Sequence, residues 1–240
     1  MERLLHGAEV VEIQTLTHDV RSLSLRPLDP PRFLFVAGQY ISIEVTEVKE
    51  GRARRNNRPY SIASPPEQPW IELCVNRVLK GPGSGYLHGL RVGDRMDFLP
   101  PMGDFTVKDD AETPLLFVAT GTGIAPIRSM ILHLIARGTT RPMTLYWGLR
   151  REEDLYYQEA FAALATQHAT FRMVTTLSRA SDAWRGARGR VTALLAERNH
   201  TQEGLEVYLC GSGAMIHDAR ALLIQQGLPK KSIHYERFFT

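Results

Sequence analysis

The stretch that decides the fold is PLLFVATGTGIAP, residues 114–126. Its first half is an unbroken apolar run, which is typical of a strand covered on both faces. Its second half sets two glycines before IRSMILHLIARG (127–138), where apolar residues recur at helical spacing and a glycine closes the segment. Strand, glycine turn and helix in this order predict one unit of a parallel sheet with flanking helices.

The rest of the C-terminal half repeats this alternation of apolar runs and amphipathic segments. Four further runs have the length and composition of strands: MTLYWGL (143–149), TFRMVTTLS (170–178), LEVYLCG (205–211) and IHYERFFT (233–240). Strands that alternate with helices form parallel sheets, because each crossover returns the chain to the same end of the sheet. Residues 109–240 are therefore expected to form a five-stranded parallel α/β sheet flanked by helices.

The N-terminal half follows a different rhythm. Apolar and polar residues alternate with period two in VRSLSLRPL (20–28), YISIEV (40–45) and WIELCVNRV (70–78), and Gly and Pro separate the runs. This pattern is typical of short antiparallel strands. We expect a six-stranded antiparallel β-barrel over residues 1–108, and the polar segment DDAETP (109–114) marks the change to the second domain.

Composition argues against several classes of protein. The chain has 240 residues and a net charge of +3, which is too small a basic excess to indicate nucleic acid. Two cysteines and eight scattered histidines offer no metal-ligand spacing, so no metal site is expected. The start, MERLLHGAEV, is not a secretory signal, and no apolar run is long enough to span a membrane. We expect a cytoplasmic monomer.

TGTGIAP lies at the carboxyl end of a strand, where parallel sheets bind ligands. Gly121 and Gly123 permit a tight turn and a close approach to ligand, and free N–H groups of the next helix attract an anion. The later strand ends meet the same edge, and Ser178 and Arg179 there suit a 2′-phosphate. A plain glycine turn and solvated arginines are the alternatives. The candidate nucleotide-binding residues are Thr120, Gly121, Thr122, Gly123, Arg150, Ser178, Arg179, Cys210 and Gly211.

RPYSIAS (58–64) is a second candidate binding segment. On an ideal strand, Arg58 and Tyr60 point the same way, about 7 Å apart. The guanidinium can hold a phosphate while the aromatic ring stacks on a flat ligand. Ser61 points to the opposite face of a regular strand. A structural strand with a surface arginine is the alternative.

Five segments in order resemble the ferredoxin–NADP(+) reductase family, and the resemblance runs from about Gly38 to Phe238. They are RPYSIAS (58–64), GPGSGYLHGLRVGD (81–94), PPMGDF (100–105), ATGTGIAPIRSM (119–130) and YLCGSGAMIHDAR (208–220). The resemblance implies an N-terminal FAD-binding barrel, a C-terminal NADP(H)-binding domain and an active site between them. NADH is the alternative nicotinamide.

The resemblance also implies roles for single residues. Arg58 contacts the FAD pyrophosphate, Tyr60 stacks on the isoalloxazine, and Ser61 lies near its N5 atom. Thr122 and Gly123 border NADP(H), while Cys210 and Gly211 lie against the nicotinamide. Glu236 matches an acidic residue near the active site, so the candidate catalytic residues are Ser61, Cys210 and Glu236. The other residues implied to bind FAD are Pro59, Val75, Asn76, Arg77, Gly83, Ser84 and Gly85.

The C-terminal tail departs from the chloroplast members of the family, which end in an aromatic residue that covers the flavin. Here the chain runs on to Thr240, as in bacterial members. We expect Phe238 to stack on the flavin, with Phe239 as the alternative ring. Alternatively, Phe238 and Phe239 are core aromatic residues at the end of a strand.

The implied reaction moves a hydride between NADP(H) and FAD and single electrons to or from a ferredoxin or flavodoxin. GRARRNNR (51–58) can dock such an acidic partner, or it is simply an exposed polar loop before a strand. Reduction of free flavin or of an oxygenase component is the alternative function. A non-catalytic flavin-binding relay subunit is a further alternative.

Overall fold

The computed structural model describes residues 5–49, 52–107 and 112–238. The chain falls into two compact units. The first comprises residues 1–107 together with 128–133, and the second comprises residues 108–127 and 134–240. Within the described ranges, no helix combines the length and the apolar character that crossing a membrane requires.

The first unit is built on a curled six-stranded antiparallel sheet with strand order β4-β3-β6-β1-β2-β5. Ile62 directly follows one edge strand and bridges Leu73 in the other, so the sheet bends towards closure as a half-barrel. This confirms the antiparallel six-stranded prediction. The elements are β1 (His6–Thr15), β2 (Val20–Asp29), β3 (Tyr40–Lys49), β4 (Arg52–Ser61), β5 (Ile71–Asn76), α1 (Pro82–Gly89) and β6 (Arg95–Met102).

Strand β4 corrects one sequence expectation. One of the two interpretations of GRARRNNR, an exposed polar loop before a strand, is wrong: residues 52–58 are already part of β4 and pair in register with β3. The strand lies at the edge of the sheet, so only one side of its backbone is paired. An edge strand can carry charged side chains without burying them, and such charges keep other chains from pairing with it. The polar composition therefore marks an edge strand.

The apolar face of this sheet encloses the core of the first unit. Alternate residues of β3 (Ile41, Ile43 and Val45) point inward and are buried. This is the period-two pattern that the sequence shows, because successive side chains of a strand point to opposite faces. The face opposite is free to carry polar residues such as Glu44, which is exposed.

The second unit is a parallel sheet with helices, in the strand order β10-β9-β8-β7-β11-β12. It has six strands where five were predicted. The additional strand is β10, whose two residues pair with β9 and are too few to show a periodic pattern. The elements are β7 (Leu115–Thr120), α2 (Ile124–Ala136), β8 (Met143–Leu149), α3 (Gln158–Gln167), β9 (Phe171–Leu177), β10 (Ala187–Arg188), α4 (Val191–Ala196), β11 (Glu206–Ser212), α5 (Gly213–Gln225) and β12 (Ile233–Phe238).

Candidate functional site

Arg58 and Tyr60 lie side by side on β4. They pair with Ile43 and Ile41 of β3, so they share the face of those two buried side chains. Both side chains also border Gly83 of α1: a Cβ built on Gly83 would lie 2.5 Å from Tyr60 Oη and 3.1 Å from Arg58 Cβ. A residue with a Cβ would clash with Tyr60 here, so this close packing requires glycine. The predicted pairing of a cation and an aromatic ring on one face is therefore present, and the start of a helix adjoins it.

The N-terminus of α1, beside Arg58 and Tyr60, has the features of an anion-binding site. Pro82 occupies its first turn, and no side chain among the described residues caps its N-terminus. The first N–H groups of a helix have no partner within it and attract negative charge. Ser84 is occupied locally, because its Oγ accepts from the Val78 N–H at 3.1 Å and lies 3.2 Å from the Gly81 carbonyl oxygen. Ser84 therefore stabilises the turn before the helix.

The phenol of Tyr60 is protonated at neutral pH. Burial raises the pKa of Tyr60 to about 12, and the neighbouring Arg58 guanidinium opposes this shift only in part. A neutral phenol keeps its O–H as a hydrogen-bond donor. The ring also packs against the apolar core of the first unit, which fixes its orientation.

The remaining candidate flavin residues lie at the ends of β4 and β5. Ser61 is buried at the end of β4, after the exposed Pro59. Val75 is buried near the end of β5 and Asn76 is half-buried, whereas Arg77 is exposed just beyond the strand. These are positions in the fold, and the roles of the residues stay predictions.

Two residues that sequence reasoning did not single out attach α1 to the strands. His88 Nε2 lies 3.1 Å from the Val75 carbonyl oxygen, and Arg21 donates to the His88 carbonyl at 2.9 Å. Burial lowers the pKa of His88, so its ring is mainly neutral at neutral pH. No spacing rule links Arg21 to His88, because they are far apart along the chain and meet only through folding.

In the second unit, the glycine turn after β7 lies against the end of β11, which includes Cys210, Gly211 and Ser212. A Cβ on Gly123 would lie 2.4 Å from the Cys210 carbonyl oxygen, and Gly211, at φ +140°, would place one 2.1 Å from Thr120 Oγ1. The Ser212 N–H donates to Thr120 Oγ1 at 3.2 Å. Gly123 is therefore required by backbone packing, in addition to any approach to a ligand. The structure brings the predicted residues of both segments together.

Cys210 and Glu236 are direct partners on the neighbouring strands β11 and β12. Cys210 is fully buried. Burial raises the pKa of the Cys210 thiol far above its ordinary value, and the Glu236 carboxylate adds to the shift. The thiolate is the nucleophilic form of cysteine, so this thiol is poorly suited to nucleophilic attack. The role of Cys210 beside the nicotinamide stays a prediction, because a fully buried side chain presents no surface to a ligand.

The ends of β8 and β9 bring Arg150, Ser178 and Arg179 together. The Arg179 N–H donates to the Arg150 carbonyl at 2.7 Å, and the Ser178 N–H donates to the Leu149 carbonyl at 3.1 Å. All three candidate side chains are exposed. Across the described ranges, neither arginine forms an ion pair. Their positive charge is therefore not neutralised within the described fold.

The tail residue Phe238 ends β12, pairs with Ser212 of β11 and is half-buried. A ring at this position is neither fully in the core nor fully in solvent. Phe239, the alternative ring, lies outside the described residues. The stacking role of Phe238 stays a prediction.

These two sites match known domains. The sequence profile of the oxidoreductase FAD-binding domain matches residues 7–107, and that of the oxidoreductase NAD-binding domain matches residues 117–221. A ferredoxin–NADP reductase B of Sorangium cellulosum is 37% identical over 239 residues, with 96% of each chain covered. The chain belongs to the ferredoxin–NADP(+) reductase family. It is therefore a flavin-dependent oxidoreductase with an FAD-binding and an NAD(P)-binding domain.

Relatives in this reductase family differ in length. The reductase component of a phenol 2-monooxygenase from Pseudomonas is 36% identical, and the alignment covers 94% of this chain but 63% of that relative. A solved ferredoxin–NADP(+) reductase from Neisseria gonorrhoeae with bound FAD and NADP has the same fold, with a TM-score of 0.83 at 21% identity. That match covers 99% of this chain and all of the other.

The residues of the first unit fit the FAD that the family carries. A guanidinium and an aromatic ring pack against Gly83 at the start of α1, and no side chain among the described residues caps the N-terminus of this helix. These groups match the pyrophosphate and the flat ring of the cofactor in charge and shape. In the second unit, the exposed arginines at the strand ends fit a phosphorylated nucleotide.

Proposed function

We propose that this reductase transfers a hydride between NADP(H) and bound FAD and exchanges single electrons with an acidic ferredoxin or flavodoxin. The observation that carries the proposal is the pairing of Arg58 and Tyr60 beside Gly83, together with the exposure of Arg150 and Arg179. When bound, the flavin supplies the ring that accepts the hydride and passes on electrons. The protein contributes binding, orientation and electrostatics.

In this proposal, domain 1–108 holds FAD. Arg58 and the first turn of α1 bind the pyrophosphate, because both present donors to an anion. Tyr60 stacks on the isoalloxazine and Ser61 lies near its reactive edge. Residues Pro59, Val75, Asn76, Arg77, Gly83, Ser84 and Gly85 complete the cradle, and Phe238 covers the ring.

Domain 109–240 holds the nicotinamide nucleotide. The turn from Thr120 to Gly123 binds its phosphates, and Cys210 with Gly211 lies against the nicotinamide. Glu236 stands beside Cys210 and contributes negative charge there. Hydride transfer needs the two rings at near-attack distance, so the main contribution of these residues is position. Ser61, Cys210 and Glu236 act as active-site residues without an assigned proton transfer.

An acidic electron carrier suits the edge strand β4. Arg54 and Arg55 are exposed on it, and Arg58 follows in the same strand; Arg55 pairs with Glu44 at 3.3 Å in a solvent-exposed contact. A row of cations beside the flavin site steers an acidic partner to that edge. Arg54→Gln should raise the KM for ferredoxin at low salt, while Arg172→Gln, an exposed charge on β9, should not.

Reduction of an oxygenase component is the second candidate function. The phenol 2-monooxygenase reductase component supports it by sequence identity, although this chain spans 63% of that relative. The two cysteines of this chain, both buried, are too few for an iron–sulfur cluster. In this second function, electrons would pass from the FAD to an acceptor outside these 240 residues.

One kinetic comparison tests both functions. The purified protein is mixed anaerobically with NADPH or NADH, and bleaching of the flavin band is followed. Steady-state turnover is then measured with ferredoxin, flavodoxin and free FMN as acceptors. Faster turnover with ferredoxin or flavodoxin than with FMN supports the proposal. Faster turnover with FMN indicates reduction of free flavin, and a flavin that is bleached but turns over with none of the three favours an oxygenase component as acceptor. A flavin that neither nicotinamide bleaches overturns both and leaves a relay subunit.

A further inference from the structure

A network of hydrogen bonds holds the segment that follows the β9 strand. This segment, residues 178–186, begins with Ser178 and Arg179 and leads to β10. Glu152, just after β8, accepts two hydrogen bonds at Oε1, from the Ser181 N–H at 2.9 Å and the Ser181 hydroxyl at 2.7 Å. Most of the segment is exposed, so apolar packing does not fix it.

Arg188 of β10 holds the same segment from the other side. Its guanidinium donates to the carbonyls of Ser181 at 2.7 Å, Trp184 at 3.0 Å and Ala180 at 3.5 Å. Trp184 in turn donates from Nε1 to the Ala187 carbonyl at 2.9 Å. Ser181 is thus bound through its N–H, its hydroxyl and its carbonyl. Glu152 takes part in two of these hydrogen bonds and Arg188 in three, and a charged partner makes a hydrogen bond stronger than a neutral one.

The position of Glu152 relates this network to the choice between NAD(H) and NADP(H). Sites that select NAD place an acidic residue near the end of the second strand, where it binds the ribose hydroxyls. Glu152 is the first acidic residue after β8, and the oxygen that Ser181 engages turns its carboxylate towards that segment. The Ser181 hydroxyl lowers the pKa of the Glu152 carboxyl, so the carboxylate form is retained at neutral pH.

We propose that Glu152, Ser181 and Arg188 form a clasp that positions Ser178 and Arg179 for an adenosine 2′-phosphate and withholds Glu152 from the ribose. The clasp residues are positioning residues for NADP(H) selection. The inference rests on the proposed nicotinamide site and adds its specificity. It assigns a structural cause to a preference for the phosphorylated nucleotide, which the exposed arginines alone do not fix.

A purely electrostatic role and a positioning role of Glu152 predict opposite changes in 2′-phosphate affinity when its charge is removed. Removing the negative charge of Glu152 should strengthen phosphate binding if the residue acts only through its field, because like charges repel. It should weaken binding if the residue acts by holding Ser181. Glu152→Ala removes the charge and the acceptor, whereas Glu152→Gln removes the charge but keeps an acceptor oxygen.

The test is calorimetric binding of 2′,5′-ADP and 5′-AMP to the FAD-loaded protein. Glu152→Ala and Ser181→Ala should weaken 2′,5′-ADP about tenfold, the loss of roughly one charge-assisted hydrogen bond, and change 5′-AMP far less. Glu152→Gln should stay close to wild type. Tighter 2′,5′-ADP binding in both Glu152 variants overturns the clasp, as does equal weakening of the two ligands.

A second readout separates this inference from the proposed function. In Glu152→Ala, the KM for NADPH should rise relative to the KM for NADH, while kcat changes little, because the hydride-transfer geometry is remote from the adenosine. Flavin content and near-ultraviolet circular dichroism control for folding. A wild-type protein that binds 2′,5′-ADP no better than 5′-AMP overturns the clasp even if it reduces its flavin. A wild-type protein that never reduces its flavin overturns the proposed function, while the binding result can still be read.

Discussion

Gly211 lies so close to Thr120 that a methyl group in place of its hydrogen would sit 2.1 Å from the Thr120 hydroxyl oxygen. The backbone of Gly211 also has φ +140°, which side chains rarely adopt. The ends of β7 and β11, which carry candidate nucleotide residues, can therefore approach this closely only because residue 211 has no side chain.

Gly211→Ala should disrupt this contact. We expect a loss of about 2 kcal/mol or more in the free energy of unfolding, since both overpacking and backbone strain contribute. Nucleotide affinity should fall as well, because Thr120 must move. Urea denaturation and 2′,5′-ADP binding measure the two effects. Gly227→Ala is the control: it has φ +98° but open space, so it should cost about 1 kcal/mol and leave binding intact.

Gly83→Ala should weaken FAD binding in the first unit. Its methyl group would meet Tyr60 Oη at 2.5 Å and Arg58 Cβ at 3.1 Å, so both proposed flavin ligands would be displaced. We expect FAD affinity to fall about tenfold, measured by cofactor release and rebinding. Gly89→Ala lies in the same helix with nothing within 4 Å and should retain FAD. Equal affinities in both variants contradict the Gly83 cradle.

The alkaline titration should reveal the buried phenol of Tyr60. Its pKa of about 12 exceeds the ordinary value of 10.0, so the unfolded chain releases this proton before the folded chain does. Stability should therefore fall as pH rises from about 10 to about 12, more steeply in the wild type than in Tyr60→Phe. The tyrosinate difference spectrum between the two should appear only towards the upper end of that range. An earlier difference signal shows that the phenol is solvated.

Cys210 should be unreactive in the folded protein. Burial and the Glu236 carboxylate both raise the pKa of its thiol, so little thiolate is present and reagents have no access. At about pH 8, the native protein should react slowly with a disulfide reagent, and denaturation should release both of its two thiols. Mass spectrometry of the labelled chain identifies the site. Rapid labelling of Cys210 in the native state contradicts its burial.

Arg179→Ala should affect one nicotinamide more than the other. The exposed guanidinium is proposed to bind the 2′-phosphate, so its loss should raise the KM for NADPH about tenfold or more and the KM for NADH much less. Stopped-flow reduction of the flavin by each nucleotide separates binding from hydride transfer. Arg172→Ala, at an exposed residue of the preceding strand β9, serves as control. Equal rises with both nucleotides refute the 2′-phosphate role.

The sequence predicted secondary structure well where the burial of a segment dictates its own residue pattern. The apolar runs of β7, β8 and β11 belong to a parallel sheet, and each run had to be mainly apolar because the strand is buried on both faces. Short or one-sided elements gave weaker signals. Two residues of β10 show no period, and the polar strand β4 resembled a loop because only its paired side is constrained.

In the candidate site, too, the sequence indicated local arrangements but not contacts between segments. RPYSIAS placed Arg58 and Tyr60 on one face because the spacing along a strand is local. The contact of Gly123 with the Cys210 carbonyl, and the hold of Glu152 and Arg188 on Ser181, join segments that follow different strands. No pattern within either segment indicates such a contact, so the ligand role assigned to Gly123 omitted its packing role.

The sequence by itself determined the order of strands and helices, the two halves of the chain and the ordered motifs that mark a flavin- and nucleotide-binding reductase. Only the tertiary structure decided which glycines are required by packing, which acid accepts the hydrogen bonds of Ser181, and which thiol is buried. The reason is that periodicity records the burial of each residue one segment at a time, whereas close contacts and shifted pKa values depend on distances between segments that the chain brings together only by folding.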